Sequence, residues 1–87
     1  MPDHIDPYFI NRLNRTYETK PLDCLIVWKS TVDIETLNRQ LKEKFEVVNQ
    51  FLGGEIVHCR GDREELKSLL THDDIEILHA TFPPIIF

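Results

Sequence analysis

Metal, redox or nucleophilic chemistry in this 87-residue chain would have to use four histidines, two cysteines and two serines. Their spacing argues against each. No pair shows the C-x-x-C or H-x-x-x-H spacing of a zinc site. His58 and Cys59 are neighbours in an expected strand, so their side chains point to opposite faces and cannot chelate one ion together. His72 beside Asp73 and Asp74 is the densest polar cluster, and a polar turn has the same composition. A nucleophilic triad needs Ser or Cys, His and an acid brought together by the fold. Ser30 reads as a helix cap and Ser68 as a helix-surface residue, and no nucleophile elbow surrounds either. Gly53-Gly54 lacks the further glycines and the Lys-Ser/Thr of a phosphate loop. Glu64 and Glu65 are adjacent on a helix and diverge. No catalytic residue, metal or cofactor is expected, and the chain reads as a non-enzyme.

The totals set the frame for whatever positions these groups. The length allows one domain, spanning residues 1–87. A content of 41% hydrophobic and 29% charged residues is that of a globular protein. The formal net charge of -5 repels phosphate backbones, so nucleic acid is an unlikely partner even with Arg12, Arg15 and Lys20 close together early on. No apolar run reaches the ~18–20 residues of a membrane helix, so no membrane partner is expected. Met1-Pro2-Asp3-His4-Ile5 lacks the basic start and apolar core of a signal peptide. Cys24 and Cys59 make no disulfide framework and read as small buried thiols in strands. A cytoplasmic, reduced setting follows.

Asp6-Pro7 opens a helix expected over residues 7–17, with Asp6 as N-cap and Pro7 where its missing N–H costs nothing. Ile5 and Ile10 fit a hydrophobic staple, and Phe9, Leu13 and Tyr17 form one apolar edge. Lys20-Pro21 breaks that helix. Leu22 to Lys29 is then a strand, apolar on both faces and so central in its sheet. Ser30 and Thr31 are candidate caps for the next helix. Ile34, Leu37, Leu41, Phe45, Val48 and Phe51 or Leu52 recur at helical spacing, predicting one rod of about twenty residues stopped by Gly53. Glu55 to Cys59 is a strand. Asp62 and Glu65 make a capping box for a helix burying Leu66, Leu69 and Leu70. The last strand starts at Ile75 and ends by about Phe82, because Pro83-Pro84 cannot donate ladder hydrogen bonds.

Three consecutive apolar residues, Ile85-Ile86-Phe87, follow those prolines. Such a tail either folds back as an edge strand or core plug, or is displayed for a partner.

Leu52-Gly53-Gly54-Glu55-Ile56-Val57-His58 resembles the propeptide and inhibitor family of subtilisin-like serine proteases, over about residues 23–87. In that family an apolar strand leads into a helix and through Leu-Gly-Gly into a strand ending near His. A second helix and a closing strand after an Asp-containing turn follow. Leu25 to Val27, Leu66 to Leu70, and Asp73 to Leu78 are similar to the first strand, second helix and closing segment. The family has a further strand between Cys59 and the second helix, where Gly61-Asp62 here enters the helix at once. The sheet would then be completed by the N-terminal region, the tail or another chain. The resemblance implies a tail laid into a protease cleft by strand addition, with Phe87 in the S1 pocket and Pro84 at the fourth subsite.

The reading is therefore an α+β protein, a small ferredoxin-like sandwich in the order helix-β-α-β-α-β with a three- to four-stranded sheet. Residues 1–21 form an N-terminal helical extension, 22–82 the α/β core and 83–87 an apolar tail. Its function is non-enzymatic binding of a protein, with Thr81, Phe82, Pro83, Pro84, Ile85, Ile86 and Phe87 as the contact segment. The partner is a subtilisin-like protease or, in the alternative, the chain is an interaction or regulatory module acting as a homodimer or adaptor subunit.

Overall fold

The computed structural model describes residues 1–15 and 19–80. Tyr17 and the whole candidate contact segment, residues 81–87, lie outside the described residues. The described chain is α+β, with one mixed sheet of five strands rather than three or four. In chain order the elements are β1 (His4–Ile5), α1 (Pro7–Leu13), β2 (Leu22–Trp28), α2 (Ile34–Lys44), β3 (Glu46–Phe51), β4 (Ile56–Gly61), α3 (Arg63–Leu66) and β5 (Ile75–Ala80). Short 3-10 turns, Leu52–Gly54 and Lys67–Thr71, follow β3 and α3. The strand order is β1-β5-β2-β4-β3. β2 is central and antiparallel to both β4 and β5, β3 is antiparallel to β4, and β1 runs parallel to β5 along the edge.

The helix starts follow local chemistry. Asp6 caps α1 by accepting from the Tyr8 amide at 3.0 Å, with Pro7 at the first helical position. Asp62 caps α3 through the Glu64 amide at 3.1 Å. For α2 the cap is Asp33 rather than Ser30 or Thr31. Its two carboxylate oxygens accept from the Thr36 amide at 3.3 Å and the Thr36 hydroxyl at 2.7 Å. The Thr36 hydroxyl is the main reason the Asp33 carboxyl is held below its ordinary pKa. A carboxylate at the positive helix end completes this cap.

Two expected helices are shorter than their apolar spacing predicts. α1 ends at Leu13. The expected rod from Ile34 to Leu52 is in fact α2 followed by β3, with Phe45 turning the chain into extended backbone at φ -130°, ψ 156°. Val47 and Val48 lose rotamer freedom in a helix and pack well on a pleated surface. Pairing with β4 then satisfies the backbone that the helix releases. Gly53 does not stop a helix. Leu52, Gly53 and Gly54 take φ values of 51°, 67° and 96°, the left-handed run of a hairpin connection between β3 and β4.

Alternation along the strands decides the core. Leu22, Cys24, Ile26 and Trp28 of β2, Val57 and Cys59 of β4, and Ile75, Leu78 and Ala80 of β5 all point to one face. There they form a single cluster with Phe9 and Leu13 of α1, Leu37 and Leu41 of α2, and Leu66 of α3. All three helices therefore lie on the same side of the sheet. One buried polar residue joins three elements: Asn38 of α2 accepts from the Trp28 indole at 2.7 Å and donates to the Gly54 carbonyl at 2.9 Å. A Cβ at Gly54 would lie 2.7 Å from the Asn38 amide nitrogen, so the hairpin approaches α2 as closely as it does only without a side chain.

Candidate functional site

Among the described residues the opposite side of the sheet carries no helix, and its side chains fall into three rows set by strand register. In the first row Phe51, Ile56, Val27 and Ile77 stand side by side across β3, β4, β2 and β5. Ile56, Val27 and Ile77 are half-buried by one another, while Phe51 is 46% exposed at the β3 edge. The second row is Asn49, His58, Leu25 and His79, and the third is Glu46, Arg60 and Asp23. Cross-strand neighbours on one face are close enough to interact directly. The surface is thus an apolar band graded into a polar and then an ionic margin.

Arg60 organises that margin. Its guanidinium contacts both oxygens of Asp23, at 2.6 and 3.3 Å, and reaches Glu46 Oε2 at 3.0 Å, tying β2, β4 and β3 together. Planar two-point pairing of this kind is a strong arrangement for Arg and carboxylate. His58 Nε2 sits 3.3 Å from Asp23 Oδ2. The Arg60 hydrogen bonds hold the Asp23 carboxyl below its ordinary pKa, burial opposes them, and His58 adds a smaller push in the same direction as Arg60. Asp23 in turn raises the Arg60 pKa. On the β5 side, His79 Nδ1 donates to the Ala80 carbonyl at 2.8 Å and lies 3.7 Å from Asp6 Oδ2.

A His–Asp pair can hold an imidazole in one tautomer, the second half of a triad. The first half is not on this face. Ser30 lies in the turn between β2 and α2, and the Ser68 hydroxyl donates to the Glu65 carbonyl at 2.7 Å behind the helices. Cys59 points into the core, opposite in direction to His58 as their adjacency predicts. His72 is edge-on to the Trp28 ring, with centroids 5.4 Å apart, and accepts from the Asp74 amide, so the His72-Asp73-Asp74 cluster is a packed turn. Asp73 also holds the Met1 ammonium. No group of three His, Cys, Asp or Glu among the described residues could hold a metal ion. No described helix is long and apolar enough to cross a membrane.

The covered side has a groove of about 310 Å³ between α2 and the 3-10 turn after α3, floored by Trp28, Leu41, Phe45 and Leu69. It is a seam between packed helices, whereas the open side presents a continuous apolar row. Asp23, His58, Arg60 and Glu46 were not among the candidate residues of the sequence. The alternation Ile56-Val57-His58-Cys59-Arg60 signals a two-faced strand. Only register brings Asp23 opposite Arg60.

Comparisons with protein-family models, with curated proteins and with solved structures found no match to this chain.

Proposed function

We propose that this chain is a non-enzymatic binding protein of ferredoxin-like architecture, acting in the cytoplasm, whose uncovered sheet face seats a protein partner. The architecture reading rests on the order β5-β2-β4-β3 with every neighbour antiparallel, joined as two strand–helix–strand units. The observation that carries the function is the apolar row Phe51, Ile56, Val27 and Ile77 beside the Asp23–Arg60–Glu46 margin. The core lies on the other face and no described helix or loop covers this row, which supports its use in association.

A second copy of the chain is the partner that this face fits best. About a two-fold axis along the apolar row, each row meets its own counterpart and the ionic margins fall on opposite rims. The margin carries both signs, which lets it face solvent at the rim without a field of one sign. Sedimentation equilibrium from micromolar to millimolar concentration tests this. The intact chain should show a monomer–dimer equilibrium, and Phe51→Glu should shift it to monomer by at least tenfold in Kd. An intact chain that stays monomeric to millimolar concentration would reject the second copy as occupant.

The inhibitor reading, with the segment from Thr81 to Phe87 entering a subtilisin-like protease, keeps one point of support. β5 lies beside the central strand and hands the chain directly to that segment. Inhibition of a subtilisin-like protease by the intact chain, lost in a version ending at Pro84, is its expected signature. Digestion of both versions alike would sink it.

A further inference from the structure

Cys24 and Cys59 stand directly opposite each other on the two central antiparallel strands, 35 positions apart in the chain. Their sulfurs are 3.2 Å apart, both residues are fully buried on the helix-covered face, and both are free thiols. Sulfur-to-sulfur contact at that distance is about 1.1 Å longer than a disulfide bond, a gap that small rotations of two Cβ–S arms can close. The flanking positions in the same row are Val47 and Ala80. Neither offers a group that would compete for either sulfur.

We propose that Cys24 and Cys59 form a dithiol oxidation site that closes to a cross-strand disulfide with a low-molecular-weight disulfide, such as oxidised glutathione, as the oxidant. One Cys thiolate attacks a sulfur of the small disulfide, forming a mixed disulfide and expelling one small thiolate. The second Cys thiolate then attacks the protein sulfur of that mixed disulfide and expels the other. Two protein thiols are oxidised, one small disulfide is reduced to two thiols, and the two protein protons pass to the departing thiolates through solvent. No other oxidant is required.

The same burial that aligns the pair also protects it. Both sulfurs are closed off from any small disulfide in the folded sheet, and the neighbouring Cys59 sulfur and burial together push the Cys24 thiol well above its ordinary pKa. Reaction therefore waits on local opening of the strands, and its rate should rise in sub-denaturing urea. Once formed, the bond encloses α2, β3 and the hairpin, because all three lie between the two cysteines. Cross-linking a loop of that length restricts the unfolded chain strongly, and a bond that stabilises the fold is by linkage favoured by the fold.

The test equilibrates the intact chain in glutathione buffers of graded redox ratio, in native buffer and in 8 M urea (roughly, a fully unfolding concentration), with mass spectrometry as the readout. The expected native product is a single species about 2 Da lighter, without glutathione adducts. Its midpoint should need an at least tenfold lower ratio of oxidised to reduced glutathione squared than in urea. The oxidised chain should melt roughly 10 °C or more higher. Cys24→Ala and Cys59→Ala should yield no such species. If either variant fails to fold, the native-versus-urea comparison stands alone. Glutathione adducts on the folded wild type, a midpoint equal to or less favourable than in urea, or a lowered melting temperature would each overturn the proposal.

Discussion

The two faces of the sheet are built from the same strands, yet they obey different rules. On β2, Leu22, Cys24, Ile26 and Trp28 are buried under helices, while the interleaved Asp23, Leu25 and Val27 are only half-covered. The covered face is closed by shape: sixteen hydrophobic side chains among the described residues form one cluster, and its internal polar link, Asn38, has partners on both sides. The open face is closed by nothing among the described residues. It is ordered instead by register, with apolar, mixed and ionic rows. The difference separates what folding demands from what folding leaves free. A sheet needs one buried face to be stable, so the composition of the second can answer to a partner.

Substitutions at neighbouring positions on opposite faces break that comparison most directly. Ile26→Ala should cost about 2–5 kcal/mol in urea denaturation, as a cavity in the covered core, whereas Val27→Ala should cost about 1 kcal/mol or less. Equal losses would mean that the open face is covered in solution. Asn38→Ala should come next, at about 2–3 kcal/mol, because the Trp28 indole and the Gly54 carbonyl would both be left buried without partners.

Asp23→Asn tests the ionic margin. At neutral pH it should cost about 1 kcal/mol by chemical denaturation. Asp23 titrates lower when folded than when unfolded, so its stabilisation is present in full above the ordinary carboxylate range. It is lost as pH falls through the depressed folded value, so the gap between wild type and variant should close in acid. A gap that persists or widens in acid would show that the charge is not the cause. Phe51→Glu should have the smallest effect on folding, within ~0.5 kcal/mol of wild type, while weakening self-association by at least tenfold. A large loss of stability there would place Phe51 in the core rather than at an interface.

What could be read in advance was local. The Asp6-Pro7 and Asp62 starts need only a few residues, and four consecutive apolar residues mark β2 as central. The boundary between α2 and β3 is hidden, because Leu41, Phe45, Val48 and Leu52 continue a helical stripe through a segment whose β-branched pair prefers a strand. Pairing with β4 decides that contest, and pairing is not a local property. The open face is hidden for the same reason. Asp23, Arg60 and Glu46 come from three strands, and the Cys24–Cys59 contact joins positions that periodicity reads as two separate buried thiols. β1 is two residues long, too short to carry any period.

β1 also carries a consequence for how the chain is made. His4 and Ile5 pair with Ile77 and Leu78, so β1 finds its neighbour only after the other described strands have been made. At ~5–20 residues per second on the ribosome, that neighbour emerges several seconds later. β2 waits in the same way for β5 along one of its two edges. The nascent protein thus holds a half-finished sheet, with α2 and the β3–β4 hairpin in place and the central strand still open on one side. Birth of the protein, more than its finished state, is when that strand needs shielding from other chains.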